Sequence, residues 1–130
     1  MRAPMRPMLQ ARDLDETIRF YTEMLEFALE GTWGPEPDGP ATWCSLDYGP
    51  ATLMFTHGAL VDPGGPALTG SLYFYPEDVD ALHASLVARG VQPLGAPADR
   101  EYGMRDFAVE DPNGYLLQFG QPMDELSEHA

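Results

Sequence analysis

The feature that most restricts the fold is a repeated order of landmarks. Asp13-Leu14-Asp15 precedes one amphipathic stretch, and Asp78-Val79-Asp80 precedes another 65 positions on. Gly49 lies in a turn between two apolar runs, and Gly114 lies in a second such turn, again 65 positions on. Two landmarks of different kinds at one offset mark a duplicated unit. The chain is therefore expected to contain two copies of one supersecondary motif.

The second copy shows the motif most clearly. Residues 101–120 read as strand, tight turn, strand. Phe107 and Val109 alternate with Asp106, Ala108 and Glu110, the period-two pattern of a half-buried strand. In Asp111-Pro112-Asn113-Gly114 the proline pre-sets φ and the glycine takes a positive φ that a side chain resists. Tyr115, Leu117 and Phe119 then share one face, with Leu116, Gln118 and Gly120 on the other. Upstream, 70–75 reads as a strand. A helix follows Asp78 with Val79, Leu82, Leu86 and Val87 on one face, Gly90 ends it, and a short strand covers 91–94. The first copy gives a strand over 5–11 and a helix opened by Asp13 with Glu16 three residues on. Its apolar face is Leu14, Ile18, Tyr21 and Leu25, widened by Phe20 and Met24. Strands over 27–33, 41–48 and 51–57 complete it. The expectation is one α+β domain over 1–130: module one 5–57, linker 58–69, module two 70–121, tail 122–130, each module βαβββ.

Composition removes several function classes. Twenty-one acids stand against seven arginines and no lysine, a net charge of −14. Such a chain repels nucleic acid and, where its acids do more than solvate the surface, favours a cationic or hydrogen-bond-donating ligand. No apolar run approaches the ~18–20 residues of a membrane span. No hydrophobic segment follows Met1-Arg2-Ala3-Pro4, so no secretory leader is expected. Cys44 is the single cysteine, which excludes an internal disulfide and suits a reducing, cytoplasmic setting. It is expected to face the helix as a small core residue.

Three segments resemble the vicinal oxygen chelate superfamily of glyoxalase I, extradiol dioxygenases and bleomycin-resistance proteins. They are Ala11-Arg12-Asp13-Leu14-Asp15 with Phe20-Tyr21, then residues 73–80, then residues 102–115. The last hairpin looks most like the bleomycin-resistance branch. The resemblance implies two βαβββ modules forming curved mixed sheets around a concave cleft, with helices outside, and a homodimer. One departure is Glu26, where the family usually has glycine between helix and strand.

The resemblance also implies where a divalent ion would sit. Members that use a metal take His, Glu or Gln seven residues before the helix-cap Asp and four after the turn Gly. Here those positions are Arg6, Leu53, Ser71 and Gln118. Arginine repels a cation, leucine has no donor, and neutral hydroxyl and amide oxygens are weak ligands. No metal and no cofactor are expected. The histidines supply no pair: His57 is placed at a cavity rim with Leu53 and Phe55, His83 packs on the second helix, and His129 lies in the tail.

Strand alternation, phased by the 65-residue offset, gives the face away from the helices. From the first module come Met8, Gln10, Trp43, Ser45, Asp47, Leu53 and Phe55. From the second come Ser71, Tyr73, Tyr75, Asp106, Ala108, Glu110, Leu116 and Gln118. The ligand contacts expected are Arg6, Trp43, Asp47, Phe55, Tyr73, Tyr75, Asp106, Glu110 and Gln118. Aromatic rings hold flat groups, and Asp47 or Glu110 would pair with a cation. The same rings also suit burial between subunits, and Asp106 also suits an ion pair with Arg105 or Arg100. Trp33 stands at a loop edge, as a lid or a packed strand end. The leading expectation is a metal-independent binder that sequesters a planar aromatic or cationic, antibiotic-like small molecule. The alternative is a metal-dependent lyase, isomerase or dioxygenase using His57 with Glu110 and Gln118. A third reading has Glu110 or Asp47 as a base without metal.

Overall fold

Each copy of the motif closes into its own four-stranded sheet. The structure is a computed structural model and describes residues 5–57, 64–68 and 70–124. The chain divides into two compact units, Met1–Ala67 and Leu68–Ala130, with the boundary inside the stretch expected as a linker. Residues 58–63 and 69 of that stretch, and His129 of the tail, lie outside the described residues.

The first unit runs β1 (Met8–Gln10), α1 (Leu14–Arg19) with a π-helical turn (Phe20–Met24), β2 (Ala28–Trp33), β3 (Trp43–Tyr48) and β4 (Ala51–Thr56). Its strand order is β1-β4-β3-β2. The second runs β5 (Ser71–Phe74), α2 (Val79–Ala88), β6 (Ala98–Asp99), β7 (Met104–Glu110) and β8 (Leu116–Pro122), in the order β5-β8-β7-β6. In both, the first strand pairs in parallel with the last and the other pairs are antiparallel. The helix between the first two strands makes that parallel return possible. This is α+β architecture from two βαβββ modules.

Both helices start as their sequences require. The Glu16 N–H donates to Asp13 Oδ1 at 3.0 Å, and the Ala81 N–H donates to Asp78 Oδ1 at 3.0 Å. Each cap is worth about 1 kcal/mol. A second acceptor at α2 comes from the sheet: buried Gln121 takes the Val79 N–H on its Oε1 at 2.9 Å.

The helix ends differ. α2 stops at Gly90, whose φ is +96°. α1 widens first: the Leu25 N–H reaches Phe20 O at 3.1 Å and the Phe27 N–H reaches Tyr21 O at 2.9 Å. Glu26 then takes φ +69°. Asp13 to Glu26 is one residue longer than Asp78 to Gly90, and a π turn is how a helix absorbs one extra residue.

The core of each unit lies between helix and sheet. Tyr21 is fully buried, edge-on to Phe27 at 5.0 Å and 5.1 Å from Phe55. In the second unit Phe107 and Phe119 stack at 5.5 Å, Phe74 stacks on Phe119 at 5.3 Å, and His83 meets Phe107 edge-on. Val79, Leu82 and Leu86 are buried, but Val87 is exposed and does not belong to the apolar face. In α1, Thr17 is buried with Leu14, its hydroxyl satisfied by Asp13 O at 2.8 Å, and Ile18 is only half-buried. The strand expected over 91–94 is displaced to Ala98–Asp99. Val91 N–H still bonds Leu86 O, Pro93 has no N–H, and only Leu94 N–H reaches Ala108 O.

Candidate functional site

Residues directly opposite each other in a ladder share a face. In the first unit Cys44 pairs with Phe55 and Leu46 with Leu53, and Phe55 packs on Tyr21. All four therefore face α1. The open face carries the alternate set: Trp43 opposite Thr56, Ser45 opposite Met54, and Asp47 opposite Thr52. Phe55 and Leu53, expected among the ligand-facing residues, are buried core instead. The cause lies in the hairpin: the paired residues Ser45 and Met54 are nine positions apart and the equivalent pair Ala108 and Gln118 ten, so β4 leaves the phase that β3 keeps. Asp13 and Asp78 are 65 apart and Ser45 and Ala108 are 63 apart, both odd offsets, but Phe55 and Phe119 are 64 apart. With a side-chain period of two, a one-residue slip exchanges the faces. The counterpart of Gln118 is thus Met54: Met8 pairs with Met54 as Tyr73 pairs with Gln118.

His57 continues the phase of Phe55, and its Nδ1 lies 3.0 Å from Ala11 O. It does not stand on the open face, which removes the first member of the His57, Glu110 and Gln118 set. Cys44 is fully buried, and burial pushes its thiol up to about 11 against a smaller lowering by a backbone hydrogen bond from Phe55. It is core and not a nucleophile.

The open face of the first unit is partly self-satisfied. The Ser45 hydroxyl donates to Glu30 Oε2 at 2.8 Å, and the Thr52 hydroxyl donates to Asp47 Oδ1 at 2.8 Å. Glu30 was not legible as a site residue, because it sits where the β2–β3 register shifts between Leu29 and Gly31. Such bulges re-aim a side chain without a sequence signature. Trp33 pairs with Trp43 across the same ladder and is exposed. Arg6 is exposed ahead of β1.

The second unit brings together more of the expected residues. Ser71, Tyr73, Asp106, Ala108, Leu116 and Gln118 share the open face by register. Ser71 donates to Gln118 Oε1 at 2.5 Å. Tyr75 lies just past β5, exposed, its ring 5.2 Å from that of Tyr73. Glu110 is at the exposed end of β7, opposite Leu116.

Asp106 is the centre of this face. It is 1% exposed and accepts three side-chain bonds. Tyr73 and Tyr102 hydroxyls donate to Oδ2 at 3.0 and 2.6 Å, and Arg100 Nε donates to Oδ1 at 2.7 Å. Burial by itself would raise this carboxyl, but the bonds from Tyr102, Arg100 and Tyr73 and the Arg100 charge together hold it below the ordinary carboxylate value. Burial, then the bond to Asp106, push the Tyr73 phenol well up, so it stays protonated. Arg105 is spent elsewhere, on Asp80 and Asp99. Gly120 makes room for Tyr73: a Cβ there would overlap the tyrosine hydroxyl. Tyr102 was not predicted as a site residue. It comes from the turn that Gly103 closes with φ +83°.

A divalent ion finds poor donors at the positions the resemblance implies. With Met54 replacing Leu53, they are Arg6, Met54, Ser71 and Gln118, which offer no imidazole, carboxylate or thiolate. Among the described residues no group of three or more His, Cys, Asp or Glu is placed to hold a metal. No helix among them is long and apolar enough to cross a membrane.

Comparison with known proteins agrees with this architecture. The chain is 28% identical over 110 residues to the uncharacterized protein YetH of Bacillus subtilis (strain 168), covering 82% of this chain and 88% of that one. It is 27% identical over 129 residues to an uncharacterized protein of Mycobacterium tuberculosis (strain ATCC 25618 / H37Rv), covering 93% and 75%. Among solved structures it resembles TioX from Micromonospora sp. ML1 with a TM-score of 0.74 at 21% identity, over 92% of this chain and 98% of that one. It resembles a bleomycin-binding protein complexed with bleomycin with a TM-score of 0.68 at 27% identity, over 91% and 97%. The family model described as the Glyoxalase/Bleomycin resistance protein/Dioxygenase superfamily matches residues 5–119. The chain belongs to that superfamily.

Proposed function

We propose that this protein is a metal-independent binder of small organic molecules, sequestering a planar aromatic ligand that carries positive charge. The observation that carries the reading is that the positions to which the resemblance assigns metal ligands, Arg6 and Met54 in the first unit and Ser71 and Gln118 in the second, hold no imidazole, carboxylate or thiolate. The open faces add flat aromatic surface at Trp43, Tyr73 and Tyr75, which is how small-molecule sites gain most of their contact. The net charge of −14, with Asp47 and Glu30 beside Trp43 and Trp33, favours a cation. The likeness to a bleomycin-binding protein supports the same class. Sequestration needs affinity alone, and the open-face hydroxyls are held by neighbours on their own face, Ser45 by Glu30, Thr52 by Asp47 and Ser71 by Gln118. The reading includes a homodimer, as the family resemblance implies, and a reducing cytoplasmic setting for the buried Cys44 thiol.

Titration calorimetry of protein purified without chelator, against bleomycin and simpler cationic aromatics, tests it. Micromolar or tighter binding without added metal is expected. Preference for anionic ligands overturns the electrostatic part. Stoichiometric zinc, nickel, manganese or iron in the purified protein overturns the reading in favour of an enzyme.

A further inference from the structure

The Asp106 cluster orients more than it contacts. Both carboxylate oxygens are occupied and the group is buried, so it has little left to offer a ligand. Its three donors are different. Arg100 uses only Nε on Asp106, its side chain is 42% exposed, and its two Nη groups have no other partner among the described residues. A guanidinium carries five N–H donors in a planar fork, so four of them are left over. Arg105 offers the contrast, with its fork divided between Asp80 and Asp99. The Tyr73 and Tyr102 hydroxyls have both committed their hydrogens to the same oxygen, which fixes where their rings stand. Tyr102 is 59% exposed, and Tyr73 is seated over Gly120.

We propose that Arg100, Tyr102 and Tyr73, aligned by Asp106, form an acceptor-reading subsite of the second unit. The Arg100 Nη groups take a carbonyl oxygen, as in a carboxamide, while the ring bearing it lies on the two tyrosines. Asp106 is a positioning residue. It cancels the Arg100 charge locally, and the chain as a whole repels anions, so the preferred acceptor is neutral. An oriented guanidinium loses little freedom on binding, which favours a planar acceptor over a diffuse one. The inference rests on the binding reading above.

The test compares two cations, N-methylquinolinium and its 3-carboxamide, by titration calorimetry at neutral pH. Binding of the parent reports on the binding reading, and the increment from the carboxamide reports on Arg100. The carboxamide is expected to bind about tenfold more tightly than the parent, the size of one charge-assisted hydrogen bond. Arg100→Gln is expected to abolish the increment, so that the two compounds bind the variant with equal affinity. Asp106→Asn is expected to reduce the increment while circular dichroism shows a folded protein. If Arg100→Gln does not fold, Arg100→Lys, which keeps the charge beside Asp106 but loses the fork, carries the comparison. Equal affinity for the two compounds, or an increment that survives both Arg100 variants, overturns this inference alone. Failure of both compounds to bind overturns it together with the binding reading.

Discussion

Replacing Asp106 with asparagine separates a carboxylate from its shape. The amide fills the same volume, so no cavity forms. Its carbonyl can face the two tyrosine hydroxyls or the Arg100 Nε, but not both. With the carbonyl toward Tyr73 and Tyr102, the amide N–H confronts another donor at Arg100. With the amide reversed, the hydroxyls must rotate to accept. Either way one charge-assisted bond, worth about 1.5–3 kcal/mol when buried, is lost. Arg100 and Tyr102 are substantially solvent-accessible, which screens their share, so about 2 kcal/mol is the expected cost. The cost is pH-dependent. Because the native carboxyl is held below its ordinary value, its contribution is complete above an unfolded pKa of ~3.9 and is lost as pH falls through the native one. Urea unfolding followed by circular dichroism should therefore show the wild type ahead by about 2 kcal/mol at neutral pH. The gap should shrink below about pH 4. A gap under about 0.5 kcal/mol at neutral pH, or one unchanged in acid, refutes the assignment of Asp106 as a satisfied buried anion.

Four further outcomes follow from particular residues. Glu26→Gly should raise the urea midpoint by the equivalent of about 0.5–1 kcal/mol, because Glu26 holds φ +69° where α2 has Gly90. Gln121→Ala should cost about 2 kcal/mol in the same measurement, since the Val79 N–H loses its buried acceptor. Gly120→Ala should cost about 2–3 kcal/mol and alter the near-ultraviolet tyrosine signal, as the new methyl displaces Tyr73 from Asp106. Cys44 should resist a thiol reagent at pH 8 in the native protein and react once urea unfolds it, burial having raised its thiol to about 11. Rapid native labelling would contradict its place under Phe55.

Most of the second unit was readable residue by residue. Phe107, Val109, Leu117 and Phe119 were expected on one face and are buried there. Asp111 ties the turn as its composition suggested, with Oδ1 accepting the Asn113 and Tyr115 N–H groups at 2.9 and 2.8 Å, and Gly114 has φ +87°. The first unit was less readable. Its landmarks were right at Asp13 and Gly49, yet the faces of β4 were exchanged, because the β3–β4 hairpin is one residue shorter than β7–β8 between equivalent paired residues. Glu26 was visible as a departure from glycine, and that departure marked the widened end of α1. The exchange of Leu53 and Phe55 for Met54 was not visible, since nothing local to β4 distinguishes its two faces.

The Asp106 cluster divides along the same line. The chain by itself determined that two βαβββ units form, where each helix is capped, and that Asp106 leaves the core face of its strand. Those outcomes depend on periodicity, turn residues and caps, which act over a few positions. Only the tertiary structure decided that Tyr73 from β5 and Arg100 with Tyr102 from the turn before β7 converge on that carboxylate. It also decided that a β3–β4 hairpin one residue shorter than its β7–β8 counterpart moves Met54 into the place counted for Leu53. Both depend on register between segments, and a one-residue change there reverses which side chains meet.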